Sequence, residues 1–210
     1  MRILIVDDHA VVRRGLQQIL ADEFDEVEFG EAANADEALE AVTAGNWDVM
    51  ILDISMPGRS GLDVLKEVKR MWPNLPVLVL SIHPEDQFAT RVLKAGAAGY
   101  MTKETAPEEL VTAIEKVRSG HKYVSPALAE MLANGLEKDI GQVPAHERLS
   151  DREFEVMCLI ASGKTVTEIA DELVLSVKTI STYRARILDK VNLKTNVELT
   201  HYAIRYGLIE

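Results

Sequence analysis

The sequence predicts an α/β unit with a doubly wound parallel sheet over residues 1–120 and an all-α unit over residues 149–210. Three observations carry this reading. Short continuous apolar runs recur in the first part, separated by stretches with helical spacing. Three helix-capping signatures follow residue 149. Between them, Glu137 to Arg148 holds Gly141, Pro144 and mixed charges, and reads as a connector.

The strands come first. Ile3-Leu4-Ile5-Val6, Val49-Met50-Ile51-Leu52 and Val77-Leu78-Val79-Leu80 are apolar on both faces, as buried parallel strands require. Val27 to Glu31 and Gly99 to Thr102 are weaker runs of the same kind. Helices fill the gaps. Val12, Leu16, Ile19 and Leu20 recur at helical spacing, as do Leu62, Leu65, Val68 and Met71. Thr105-Ala106-Pro107-Glu108 has the form of a capping box with proline in the first turn, followed by Leu110, Val111, Ile114 and Val117 on one face. Alternating strands and helices give a parallel sheet with helices on both faces.

Ser125 to Leu136 reads as a linker helix with Leu128, Met131 and Leu132 on one face, within a linker spanning 121–148. The later capping boxes are Ser150 with Glu153, Thr165 with Glu168 and Thr195 with Glu198. Leu149 and Phe154 stand at hydrophobic-staple positions, and Gly163 ends the first helix. Ile169, Ala170 and Leu173 mark a short helix, Val174-Leu175 a turn, and Ser176 the cap of a longer helix running to about Val191. A short helix, a tight turn and a longer helix describe a helix-turn-helix.

Composition bounds the function. The chain has 210 residues, 47% apolar and 27% charged, enough for two cores without disulfide or metal staples. No apolar run approaches the ~18 residues of a membrane span, and the N-terminal run is too short for a signal-peptide core, so a cytoplasmic protein with no membrane partner is expected. The single Cys158 excludes a disulfide framework and a cysteine-built zinc site. Net charge is −11, which taken over the whole chain argues against nucleic acid. The charge is uneven, however. Within residues 176–194, Lys178, Arg184, Arg186, Lys190 and Lys194 face only Asp189.

In doubly wound sheets ligands bind beyond the carboxyl ends of the strands. Here those ends carry Asp7-Asp8, Asp53 and Ser81, with Lys103 just after the fifth strand. Three carboxylates at one edge repel one another, and a hard divalent cation such as Mg²⁺ relieves that. An aspartate beside such a cation can act as a nucleophile toward phosphorus, with a hydroxyl and an ammonium binding the phosphoryl oxygens. Any one of these aspartates can equally be a plain turn residue, and a lone lysine a solvated one. On a helical wheel, Ile180, Ile187 and Val191 of the basic helix face a core. Lys178, Ser181, Thr182, Ala185 and Asp189 point away, with Arg186 at the edge. Charge alone suits a solvated helix; the preceding helix and turn favour a major-groove reader.

Val6-Asp7-Asp8-His9, Asp53-Ile54-Ser55-Met56-Pro57 with Gly61, Ser81, and Gly99-Tyr100-Met101-Thr102-Lys103 resemble the receiver domain of two-component response regulators. That resemblance implies a flavodoxin-like strand order 2-1-3-4-5 and phosphorylation of Asp53 by a sensor histidine kinase. It implies Mg²⁺ held by Asp7, Asp8, Asp53 and the backbone carbonyl of Ser55. It assigns Ser81 and Lys103 to the phosphoryl oxygens and Tyr100 to an aromatic switch. Glu104 departs from the proline common at that position. His83, two residues after Ser81, reads either as a flank to the attacking water or as a solvated loop residue.

Leu149-Ser150-Asp151-Arg152-Glu153, Ile160-Ala161-Ser162-Gly163, Glu168-Ile169-Ala170, Leu175 to Ile180 and Lys190-Val191 resemble the DNA-binding domain of the LuxR/NarL/FixJ family. The Thr182-Tyr183-Arg184 variant is similar to the GacA/UvrY-like branch. The resemblance implies contact with double-stranded DNA, as paired half-sites, through Lys178, Thr179, Ser181, Thr182, Ala185, Arg186 and Lys190. It also implies a homodimer through Leu199, Tyr202, Ala203 and Tyr206. The expected function is a phosphorylation-gated transcription regulator rather than an enzyme. The alternatives are a receiver acting only through protein contacts and a Mg²⁺-dependent aspartyl phosphatase. The phosphatase fits poorly, because its nucleophile and second acid normally lie two residues apart on the first strand.

Overall fold

A computed structural model describes residues 1–138 and 144–209. These form two compact units, Met1–Leu132 and Ala133–Glu210. The expected connector from Glu137 to Arg148 falls partly outside the described residues.

The first unit alternates β1 (Arg2–Val6), α1 (Ala10–Glu23), β2 (Glu28–Ala32), α2 (Ala35–Ala44), β3 (Val49–Asp53), α3 (Gly61–Met71), β4 (Val77–Ser81), α4 (Glu85–Lys94), β5 (Gly99–Thr102) and α5 (Ala106–Arg118), and enters α6 (Pro126–Lys138). The five strands are parallel, in the order β2-β1-β3-β4-β5. Every residue of β3 and β4 is buried, which is why those runs are apolar throughout. On one face, Ile3, Ile5, Ile51 and Leu80 pack with Leu16 and Leu20 of α1 and with Leu110 and Ile114 of α5. Each such side chain contributes roughly 1.5–3 kcal/mol of transfer free energy.

Two details depart from the sequence reading. Thr105 makes no capping bond to α5; its backbone is helical (φ −84°, ψ −14°), which turns the hydroxyl away from the orphan amides and toward Thr102. The compact first unit also extends past residue 120. Tyr123 pairs with Gly99 along the free edge of β5, donating its amide to the Ala98 carbonyl at 2.9 Å. Leu128 of α6 is fully buried. That pairing covers a sheet edge that would otherwise expose unpaired backbone groups.

The second unit contains a 3-10 turn (Ala145–Arg148), α7 (Asp151–Ala161), α8 (Val166–Glu172), α9 (Val177–Lys190) and α10 (Asn196–Arg205). The capping boxes at Ser150, Thr165 and Thr195 are all formed, and Ser176 caps α9 by accepting the Thr179 amide at 3.0 Å. Gly163 ends α7 at φ 90°, a left-handed conformation that glycine adopts without strain. Helix α7 is the hub, packing against α8, α9 and α10. Even its Arg152 and Glu155 are buried, and they satisfy each other as an ion pair at 2.6 Å. No helix among the described residues is long and apolar enough to cross a membrane.

Candidate functional site

The carboxyl edge of the sheet gathers Asp7 at the end of β1, Asp8 after it, and Asp53 at the end of β3. Asp7 and Asp53 are almost completely buried, because the strands that carry them are central. Lys103, just after β5, places its Nζ 2.7 Å from Oδ2 of Asp7 and 2.7 Å from Oδ2 of Asp53. Burial pushes the Lys103 ammonium toward neutrality, but the two carboxylates outweigh that and hold its pKa above the ordinary lysine value. Burial likewise pushes the Asp53 carboxyl up, against the pull of the Lys103 charge and hydrogen bond.

Asp53 is oriented from two sides. Its Oδ1 accepts the Ser55 amide at 2.9 Å. Behind it, the N-terminus of α3 comes so close that a Cβ on Gly61 would lie 2.1 Å from the Asp53 carbonyl oxygen. Glycine is thus required for the close approach that locks the loop after β3.

Three carboxylates against one ammonium leave an excess of two negative charges. Single ligand atoms of Asp7, Asp8, His9 and Asp53 lie within 4.8 Å of one another. Oδ1 of Asp8 is buried and makes no aligned hydrogen bond, with His9 Nδ1 2.8 Å away as an ion-pair neighbour. A cluster of carboxylate oxygens with a double negative excess fits a divalent cation with oxygen ligands.

Ser81, at the end of β4, is fully buried with its Oγ accepting the His83 amide at 3.0 Å. Tyr100 on β5 is fully buried and donates its hydroxyl to the His83 carbonyl at 2.8 Å. His83 is not a solvated loop residue: it is buried and stacks on Phe88 at 4.4 Å. One loop therefore links the hydroxyl, the aromatic and the start of α4. A cleft of about 670 Å³ opens beside it, lined by Ser81, Ile82, Lys103, Leu128 and Met131 among others. Across that cleft, Ser125 donates a hydrogen bond to Glu85 of α4 and Tyr123 donates one to Glu109 of α5. Sequence reasoning missed these two bonds, since neither hydroxyl belongs to a motif.

On the second unit, Lys178, Ser181, Thr182, Ala185 and Arg186 are exposed along α9 and Thr179 is half-buried, while Ile180 and Ile187 are fully buried. Lys178, Thr179, Thr182 and Arg186 line a shallow cavity of about 300 Å³ with Ser176 and Tyr183. The packing qualifies two expectations. Lys190 is exposed, and its Nζ is also paired with the buried Glu153 at 2.6 Å, which ties α9 to α7. Of the four residues expected at a dimer contact, two face inward. Leu199 and Ala203 are fully buried in the unit's own core, and Tyr202 accepts the His146 amide at 3.2 Å. Tyr206 is exposed but packs on Tyr202, with ring centroids 4.6 Å apart. The outward apolar residues of α10 are Val197 and Ile204.

Known proteins fit this geometry. Residues 3–115 match the response regulator receiver domain, and residues 147–203 match the bacterial regulatory proteins of the luxR family. The chain belongs to the response regulators that join a receiver to a LuxR-type DNA-binding domain. Among curated relatives it is similar to response regulator UvrY of Escherichia coli (strain K12), 38% identical over 209 residues, covering 99% of this chain and 95% of the relative. Response regulator GacA of Pseudomonas aeruginosa is 38% identical over 210 residues, covering 100% and 98%. Among solved structures, RcsB from Salmonella enterica serovar Typhimurium, bound to promoter rprA in the presence of phosphomimetic BeF3-, is 29% identical with a TM-score of 0.64 and full coverage of both chains.

Proposed function

We propose that a sensor histidine kinase phosphorylates Asp53, and that this controls dimerisation and sequence-specific binding of double-stranded DNA by α9, in the cytoplasm. One observation carries the reading: the buried Asp53 shares the Lys103 ammonium with Asp7 at the carboxyl edge of the sheet. In the transfer, an Asp53 carboxylate oxygen forms a bond to phosphorus as the nitrogen–phosphorus bond of the kinase phosphohistidine breaks. The electron pair leaves with the imidazole, and the product is an acyl phosphate. The chain is thus the acceptor in phosphoryl transfer and not an enzyme toward a separate substrate.

Asp7, Asp8 and Asp53, with the Ser55 carbonyl, are the residues that would hold Mg²⁺. Bound there, it would offset charge on the phosphoryl oxygens. Lys103 remains beside those oxygens as a second positive charge, and the Ser81 hydroxyl is placed to donate to one of them. Phosphorylation adds about −1.5 to −2 charge and three acceptor oxygens. Movement of Ser81 toward them would pull the loop that holds the Tyr100 hydroxyl and Glu85. On DNA, small exposed residues let α9 approach base edges closely, while Lys178 and Arg186 meet bases or phosphates. A dimer would bind half-sites ~10–10.5 base pairs apart or a multiple of that.

The test measures DNA binding by the full chain with and without a small phosphoryl donor, in wild type and Asp53→Asn. The donor should tighten binding only in the wild type; an identical response in both removes Asp53 as the switch. Lys178→Ala with Arg186→Ala should abolish binding in either state, and unchanged binding removes α9 as the reader.

A further inference from the structure

Helix α6 hangs from the first unit by its first turn. The Ser125 hydroxyl oxygen accepts the Leu128 amide at 3.1 Å, which caps the helix, and donates its proton to the carboxylate of Glu85, the first residue of α4. Of residues 126–133, Leu128 alone is buried. Met131 is half-buried and borders the cleft of about 670 Å³. One cap and one leucine therefore hold this turn, with open space beside them.

Two residues before the cap, Tyr123 is fixed differently. Its backbone pairs with the edge of β5, and its hydroxyl donates to Glu109 of α5. Neither partner belongs to the loop after β4. Ser125, in contrast, is tied to the far end of that loop. The loop starts at Ser81, whose Oγ accepts the His83 amide at 3.0 Å, and ends four residues on at Glu85. A displacement of Ser81 thus reaches Glu85 through a short stretch of chain, while Tyr123 stays in place. The carboxylate acceptor makes the Ser125 bond stronger than a neutral one. The bond is also directional: once Glu85 shifts out of line, the hydroxyl proton loses its acceptor and the cap loosens.

We propose that the Ser125–Glu85 bond is a latch holding α6 on the first unit, and that phosphorylation of Asp53 opens it by moving the loop between Ser81 and Glu85. The inference rests on Asp53 being the phosphorylated switch, and names the contact through which that switch reaches the connector. With the latch open, α6 swings about Tyr123 and lengthens the tether to the second unit. A tether too short for the span forbids two chains from seating on paired half-sites at once, and a longer one permits it.

The experiment compares the full chain as wild type, Glu85→Ala, Glu85→Gln, Tyr123→Phe and Asp53→Asn, with and without acetyl phosphate. It reads hydrogen exchange of the α6 amides, and binding to a paired-site duplex selected from a random pool by the donor-treated wild type. In the wild type, the donor should speed exchange of the Leu128 amide about tenfold. Glu85→Ala should reach that rate without the donor, and should bind the duplex about fivefold tighter than untreated wild type. Glu85→Gln loses the same charge but keeps an acceptor oxygen, so it should behave as wild type. So should Tyr123→Phe, which leaves the edge pairing intact. Wild-type exchange that ignores the donor, slow exchange or unchanged affinity in Glu85→Ala, or equal opening in Glu85→Gln or Tyr123→Phe overturns the latch while Asp53 remains the switch. A donor response that survives in Asp53→Asn removes the switch itself, and the latch with it.

Discussion

Lys103 reaches across 50 residues of sequence to place its Nζ 2.7 Å from the carboxylate of Asp53. The same ammonium serves Asp7 at the same distance, so one cation holds two buried anions apart. The contact can form only because the topology sets β3 and β5 on either side of β4, with all their carboxyl ends at one edge.

Lys103→Met keeps the stem and removes the charge. Asp53 and Asp7 then face each other without a counter-charge, a loss on the order of 3 kcal/mol for a buried pair stripped of one partner. In EDTA the first unit should melt earlier than wild type, and Mg²⁺ should restore part of the difference. The pH sign follows from the raised lysine pKa. The stabilisation is complete below the ordinary value of 10.5 and disappears as pH rises through the elevated one, so the two proteins converge only in strong alkali. Equal melting in EDTA at pH 7 would show that the pair adds nothing.

Gly61→Ala tests the loop behind the phosphoacceptor. The added methyl would meet the Asp53 carbonyl oxygen at 2.1 Å and the Ile54 Cα at 2.6 Å, both backbone atoms that cannot swing aside. Overpacking of this kind costs about 3 kcal/mol. Urea unfolding should show that loss, and labelling of Asp53 by a phosphoryl donor should slow because the carboxylate is displaced. A wild-type urea midpoint would refute the close approach.

What the sequence revealed and what it concealed divide along a physical line. The apolar runs of β1, β3 and β4 were legible because strands buried on both faces carry their environment in every residue. The boxes at Ser150, Thr165 and Thr195 were legible because both partners lie three residues apart. The receiver cluster was legible because its members end strands. Lys190 was not, since its partner Glu153 lies 37 residues away on another helix. Nor was the orientation of α10, which carries two apolar stripes. Spacing reveals the stripe of Leu199 and Ala203, but only packing shows that α7 already occupies it.

Glu153 should make the second unit acid-sensitive. Burial pushes its carboxyl up, but the hydrogen bond from Lys190 and those from Ser150 outweigh this and leave its pKa below 4.5. A depressed carboxyl stabilises the fold fully above its unfolded pKa and loses that contribution as pH falls through the folded one. The gap in urea midpoint between wild type and Glu153→Gln should therefore hold from pH 7 to about 5 and shrink below about 4.5. A gap independent of pH would mean that the charge is not what matters.

Val174 sits in the turn before α9 at φ 51°, a left-handed conformation unfavourable for a β-branched residue. It is 68% exposed, so little packing offsets the strain. Val174→Asn should stabilise the second unit by about 1 kcal/mol, which for a unit of this size raises the melting temperature by roughly 4–8 °C. Calorimetry of the full chain checks it, and an unchanged or lower transition would show that the valine side chain is held by something other than backbone strain.

The surface of α10 gives the sharpest contrast. Val197 and Ile204 are seven residues apart, so they share one face of the helix, and they are 67% and 54% exposed. Leu199 and Ala203 share another face and are fully buried. If dimers on DNA use α10, they must use the Val197 face. Val197→Glu with Ile204→Glu should leave unfolding within about 0.5 kcal/mol of wild type. The same pair should weaken binding to paired half-sites and leave a single half-site unaffected. Leu199→Asp, in contrast, puts a carboxylate into the core and should unfold the second unit, at a cost above about 4 kcal/mol. Fluorescence anisotropy on single-site and paired-site duplexes separates the cases. Wild-type affinity of the double variant for the paired duplex would place the dimer contact elsewhere.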